Sequence, residues 1–180
     1  MAKLVLDTNC LIQSIPQRSR YHVLWQSFVD GKNKLCVSNE ILEEYIEILQ
    51  RLTDNETAEY VVKTILNSPF VELITPFYHF NLITVDPDDN KFVDCAISAN
   101  AHYIVTNDHH YDVLKDIDFP KVNVVNIQQF FKTFITITSI STMKIPPSFR
   151  VSYLIKSAYS VTAIVFTNFV LPPCSQYVYA

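Results

Sequence analysis

At 180 residues the chain suits one domain with room for an appendage, and it is long enough to bury a substantial core. Hydrophobic residues make up 49% and charged residues 18%, dry but within the soluble globular class, and the single glycine, Gly31, excludes the glycine-rich loops that cradle nucleotide phosphates. The formal charge of -4 hides an asymmetry, because residues 1–118 hold all 18 acids and nine of the 14 basic residues, whereas residues 119–180 hold five basic residues and no acid. Net charge therefore does not choose a partner, since acids gathered around bound cations have their field inverted.

In chain order, Lys3 to Leu6 reads as a short buried strand, followed by a loop around Pro16 and a helical pattern from Tyr21 to Val29. Lys34 to Ser38 is a second strand, and Ser38 or Asn39 caps a helix along which Ile41, Tyr45, Ile48 and Leu52 recur at helical spacing. A further helix spans about Glu56 to Leu66, and Val71 to Thr75 is a strand closed by Pro76. The DPDDN turn then leads into a helix over roughly Asp89 to Asn100, with strands at Tyr103–Thr106 and Val122–Val125 and a last helix from Ile127 to Phe134. Strands separated by helices predict an α/β fold with a central parallel sheet, whose ligands gather beyond the carboxyl ends of the strands.

The cysteines, Cys10, Cys36, Cys95 and Cys174, contain no CxxC pair and read as reduced core residues. The opening MAKLVLD is too short in its apolar part for a cleavable signal, so a cytoplasmic location is expected.

Asp7 and Asp108 each close a predicted strand, and if those strands are neighbours both carboxylates emerge at one sheet edge. Among Glu40, Glu43, Glu44 and Glu47, a rotation of about 100 degrees per residue places Glu44 beside the apolar stripe and Glu43 and Glu47 toward solvent. The same construction on DDNKFVDCAISA puts Asp89 on the apolar side with Phe92, Val93 and Ala96, and makes Asp94 a more exposed, secondary candidate. Asp86 and Asp88 read as turn and cap residues. Plainer readings stand beside these: Asp7 and Asp108 also suit turns, Glu44 a solvated surface, and Asp89 a helix cap.

Four convergent carboxylates, Asp7, Glu44, Asp89 and Asp108, repel one another unless a cation joins them. Mg²⁺ or Mn²⁺ is the natural match for such oxygen donors, with Thr8, Asn9 and Thr106 as supporting residues. His109 and His110 lie beside Asp108, but no other histidine has matching spacing, so a histidine-based metal site is not expected.

Taken together, VLDTNCLI at 5–12, EILEEYIEIL at 40–49, DPDDNKFVDCAISANAHYIVTND at 86–108 and NVVNIQQFF at 123–131 resemble a PIN domain of the bacterial toxin-like branch. No single motif is strong, but the four stand in order over about residues 3–134. The resemblance implies a three-layer α/β/α sandwich and an endoribonuclease dependent on Mg²⁺ or Mn²⁺ that leaves 5′-phosphate and 3′-hydroxyl ends. It places the family's motif acids at Asp7, Glu44, Asp89 and Asp108, with polar positions at Thr8, Asn9 and Thr106. It also implies a small protein antitoxin as partner, and dimers.

The departure from the family is at the C-terminus. Residues 1–134 form the expected nuclease domain, and residues 135–180 an extension whose last 24 residues, from Ser157, carry no charged side chain. Ser, Thr, Asn and two adjacent prolines make it a poor membrane span, and added strands, an oligomer contact or an aggregation-prone tail fit it better. Two rival functions remain open at this stage: a metal-dependent phosphatase of small phosphoesters using the same acids, and a non-catalytic interaction module.

Overall fold

The computed structural model describes residues 1–133. The C-terminal extension expected at 135–180, with Cys174 and three of the five late basic residues, lies outside the described residues.

Five short strands form one parallel sheet: β1 (Ala2–Leu6), β2 (Asn33–Val37), β3 (Val71–Leu73), β4 (Tyr103–Val105) and β5 (Val124–Val125), in the order β3-β2-β1-β4-β5. The apolar runs LVL in β1, LCV in β2 and IV in β4 are fully buried, as a sheet covered on both faces requires. The flanking helices are α1 (Thr8–Ser14), α2 (His22–Val29), α3 (Asn39–Leu52), α4 (Asn55–Asn67) and α5 (Asn90–Ala99), and residues 127–133 are also helical. The fold is the expected α/β/α sandwich around a parallel sheet. Cys10, Cys36 and Cys95 are buried free thiols, and among the described residues no helix is long and apolar enough to cross a membrane.

The chain grows from β1 through β2 to β3 on one side, then returns to place β4 and β5 on the other. That reversal opens a crevice beyond the carboxyl ends of β1 and β4. Leu6 pairs with Val105, and the Asp7 amide continues the ladder by donating to the Val105 carbonyl at 3.0 Å.

Three local features differ from the sequence expectation. Helix α1 has no counterpart in the sequence expectation, which gives only a loop around Pro16 between β1 and α2; its seven residues are too few to hold a helix by themselves, and it forms by packing Cys10 and Leu11 into the core. A 3-10 segment at His109–Asp116 was likewise not expected. On α3 the buried stripe is Ile41, Leu42, Tyr45 and Leu49, whereas Ile48 is half-buried and Leu52 is 64% exposed. The rotation is fixed by Tyr45, whose buried hydroxyl donates to the Leu6 carbonyl at the end of β1. Ser38 caps the helix as expected, accepting from the Ile41 amide at 3.3 Å.

The lone glycine has a defined task. Gly31 turns the chain from α2 into β2 at φ +69°, and a Cβ there would lie 2.4 Å from the Phe70 ring. Gly31→Ala must accept left-handed strain and displace that ring, so a loss of roughly 1–2 kcal/mol is expected in urea unfolding. A midpoint unchanged from the parent would show that the turn carries no such requirement.

Candidate functional site

The crevice gathers acids from four parts of the chain. Asp7 stands at the N-cap position of α1, yet its carboxylate makes no capping hydrogen bond and is left to the crevice, 7% exposed. Its Oδ2 accepts from Thr106 Oγ1 at 2.9 Å, and the same hydroxyl accepts from the Asp108 amide at 2.9 Å. One threonine thus ties together the acids that follow β1 and β4. Thr8 donates its hydroxyl to Glu44 Oε1, and Lys91 holds Glu44 Oε2 at 2.6 Å, so both oxygens of Glu44 are engaged. Asn9 differs from Thr8: its side chain is exposed, and only its backbone amide bears on Asp7.

Asp89 precedes α5, and it too makes no capping hydrogen bond. Instead Oδ1 accepts from the buried Tyr111 hydroxyl at 3.2 Å, and Oδ2 faces His110 Nδ1 at 3.3 Å. Asp108 partly fulfils its plainer reading, because Oδ1 accepts from the His110 amide at 2.9 Å and caps the 3-10 segment. Asp86 also combines two roles: Oδ1 accepts from the Asp88 amide at 3.2 Å and caps the turn, while Oδ2 lies 3.9 Å from His110 Nδ1. One donor atom from each of Asp86, Asp89 and His110 lies within 4.8 Å of the others, a spacing compatible with a metal ion.

His110 is the residue that sequence spacing set aside. The partners of His110 are not a second histidine but aspartates 21 and 24 positions earlier, which only the fold brings alongside. Tyr111 and Lys91 were also unread, and neither has a sequence pattern that would reveal a role here.

Asp94 departs from its expected exposure, at 1% exposed. It accepts from the Phe80 amide at 3.0 Å and pairs with His79 Nδ1 at 2.9 Å, and it lines the same cleft as Glu44, Asp86 and Asp89. Angular placement on α5 could not anticipate that an irregular stretch would lie across its polar side. Asn90 pins the same stretch, accepting from the Ile83 amide and donating to the Ile83 carbonyl. Both side chains replace the backbone pairing that a non-strand segment lacks.

The electrostatics follow from burial and crowding. Burial is the largest influence on Asp7 and raises its carboxyl from 3.8 to about 6; the Thr106 hydrogen bond opposes this, while Asp89 and Glu44 add to it. Burial also raises Asp89, against hydrogen bonds from His110 and Tyr111, with Asp86 and Asp108 pushing the same way. The Tyr111 phenol is driven far up by burial and then by Asp89, and so stays a neutral donor. Among the described residues no lysine or arginine pairs with Asp7, Asp86, Asp89 or Asp108. A predominantly hard-oxygen donor set with a charge deficit of this kind fits Mg²⁺ or Mn²⁺. Glu44, Asp86 and Asp89 open onto a cleft of about 620 Å³ between α3 and the segment 79–94, lined also by Glu43, Glu47 and Lys91.

Residues 3–110, more than half of the chain, match the PIN domain family. The chain belongs to that family. Solved structures resemble the chain at low identity. VapBC2 from Rickettsia felis, bound to a DNA fragment from its promoter, is 19% identical, with 69% of this chain and 98% of that chain covered at a TM-score of 0.50. DNA-bound VapBC from Salmonella typhimurium is 18% identical over 71% of this chain and 99% of that one, with a TM-score of 0.46. The PIN domain of T. brucei RRP44 is 10% identical over 77% and 84%, also at 0.46. No curated protein matches the chain.

A carboxyl raised on folding opposes the fold wherever it must ionise. The cost at Asp7 is absent below about pH 4, grows between pH 4 and 6, and is full above about 6. In chelator at pH 7, Asp7→Asn is therefore expected to stabilise this PIN domain by about 2 kcal/mol, the gain vanishing toward pH 4. Thermal unfolding across that range checks it, and a variant less stable than the parent at pH 7 would refute the assigned cost.

Proposed function

We propose that the chain is a divalent-metal-dependent endoribonuclease hydrolysing phosphodiester bonds in single-stranded RNA. Asp7, Glu44, Asp89 and Asp108 are the metal-holding and catalytic residues, and Mg²⁺ or Mn²⁺ is the cofactor. The observation that carries this reading is the buried Asp7 carboxylate at the sheet's switch point, linked through Thr106 to Asp108 and crowded by Glu44 and Asp89. When bound, the ion would supply Lewis-acid activation of water and neutralise charge on the scissile phosphate.

The chain's own contribution is positioning. Thr106 fixes the orientation of Asp7, Tyr111 that of Asp89, and Thr8 with Lys91 that of Glu44. Asp94 acts one step further out, by holding the stretch that carries His79 over α5. The cleft is open, as a long single strand requires and a small-phosphoester phosphatase does not. A cytoplasmic location, a protein antitoxin as partner and dimer formation belong to the same proposal, the last two resting on the likeness of the motifs to the toxin-like branch.

The test is cleavage of an unbiased RNA pool by the full chain. Mn²⁺ or Mg²⁺ should support cleavage to 5′-phosphate and 3′-hydroxyl ends, and chelator should abolish it. Asp7→Asn and Asp89→Asn should fall to background while remaining folded. Cleavage by folded Asp7→Asn at the parent's rate, or none by the parent with millimolar Mn²⁺, would end the proposal.

A further inference from the structure

We infer that His110 is a ligand of the metal centre, joining Asp86 and Asp89 through its ring nitrogen, so that the centre prefers Mn²⁺ to Mg²⁺. This rests on the metal-centre reading above and departs from it in the donor set, since the motif resemblance implies carboxylates alone.

The geometry is a focus rather than a pair. Nδ1 of His110 faces three carboxylates at once, Asp89 Oδ2 at 3.3 Å, Asp108 Oδ1 at 3.5 Å and Asp86 Oδ2 at 3.9 Å. A ring nitrogen carries at most one proton and directs it at one acceptor, and none of the three distances is that of a strong charge-assisted bond. Two ligands on one ion at about 2.1 Å stand at most about 4.2 Å apart, and all three separations fall inside that limit.

The oxygens are divided in a way that points to the same place. Asp86 commits Oδ1 to the Asp88 amide and Asp89 commits Oδ1 to the Tyr111 hydroxyl, and each presents Oδ2 to His110. The local structure thus fixes both carboxylates by one oxygen and leaves the other at the shared point. His110 is itself held through its amide by Asp108, and its side chain is 37% exposed, within reach of an ion from solvent. Replacing one carboxylate by imidazole lowers the donor charge and adds nitrogen, which favours a transition ion over Mg²⁺.

Pulsed electron paramagnetic resonance of the full chain with one equivalent of Mn²⁺ tests the ligand directly. Coupling to ¹⁴N is expected in the parent, and growth on ¹⁵N-histidine should convert it to a ¹⁵N coupling. His110→Gln should lose the signal and bind Mn²⁺ roughly tenfold or more weakly by calorimetry, with Mg²⁺ binding little changed. His109→Gln should retain the signal, because that neighbour pairs with Asp112 outside the cluster. Bound Mn²⁺ without histidine coupling in the labelled parent overturns the inference even if His110→Gln does not fold, and so does coupling that survives in folded His110→Gln. Mn²⁺-dependent RNA cleavage without the coupling would sink this inference and leave the nuclease reading standing. Coupling without cleavage would do the reverse.

Discussion

The parallel pairing of β1 with β4 is the constraint on which the site depends. The register that sets Leu6 against Val105 brings the next residues, Asp7 and Thr106, level at the open end of the sheet. There a single hydroxyl, that of Thr106, donates to one strand-end acid and accepts from the amide of the other. A slip of one residue in this pairing would turn every side chain of the strand to the opposite face, breaking the core and the threonine bridge together. Tyr45 extends the control to α3, because its hydroxyl is anchored on the Leu6 carbonyl and the adjacent Glu44 is thereby set against Thr8.

The chain treats its acids in two ways, and the contrast separates structure from site. Glu72 on β3 is met by Lys3 at 2.7 Å and Lys34 at 2.6 Å across the sheet edge, and its carboxyl is held below its usual value by those hydrogen bonds. Asp7 and Asp89 are more buried and have other acids, not lysines, as their charged neighbours, and both are raised. A fold optimised for stability alone would not leave an unpaired carboxylate behind its central strand. The three inert buried cysteines mark the opposite case, with burial pushing each thiol up and out of reach of ionisation.

What the sequence disclosed follows from the range over which each signal acts. Buried strands of a parallel sheet read as continuous apolar runs, so β1, β2 and β4 were legible, and the strand-end acids Asp7 and Asp108 with them. The stripe on α3 was legible in period but not in phase, because Leu42 and Leu49 compete with Ile48 and Leu52 and only the Tyr45 anchor decides between them. Helix α1 has too few residues for periodicity to register. Asp94 was misplaced because its burial comes from a segment some 15 residues away that has no regular structure of its own. His110 and Tyr111 lay beyond sequence reasoning for a related reason: their partner Asp89 is 21 and 22 positions distant, across the whole of α5 and β4.

The two flanks of the crevice are electrostatically unlike, and this bears on where an external cation is needed. On the α3 side Glu44 already has a cation, Lys91, with both side chains largely withdrawn from solvent. On the other side Asp86, Asp89 and Asp108 share the His110 imidazole, the one basic side chain paired with them among the described residues, and Asp7, between the flanks, has a hydroxyl as its side-chain partner. The lysine neutralises one carboxylate at fixed geometry, whereas three acids around one ring nitrogen retain a negative excess whatever the protonation of that ring. Because unpaired charge is most costly where water is scarce, the negative excess costs most from Asp7 toward the Asp89 flank, and a cation bound there would relieve the most. Lys91, Glu44, Asp86 and Asp89 all line the cleft, so one neutralised carboxylate and several without a lysine or arginine partner face the same open space.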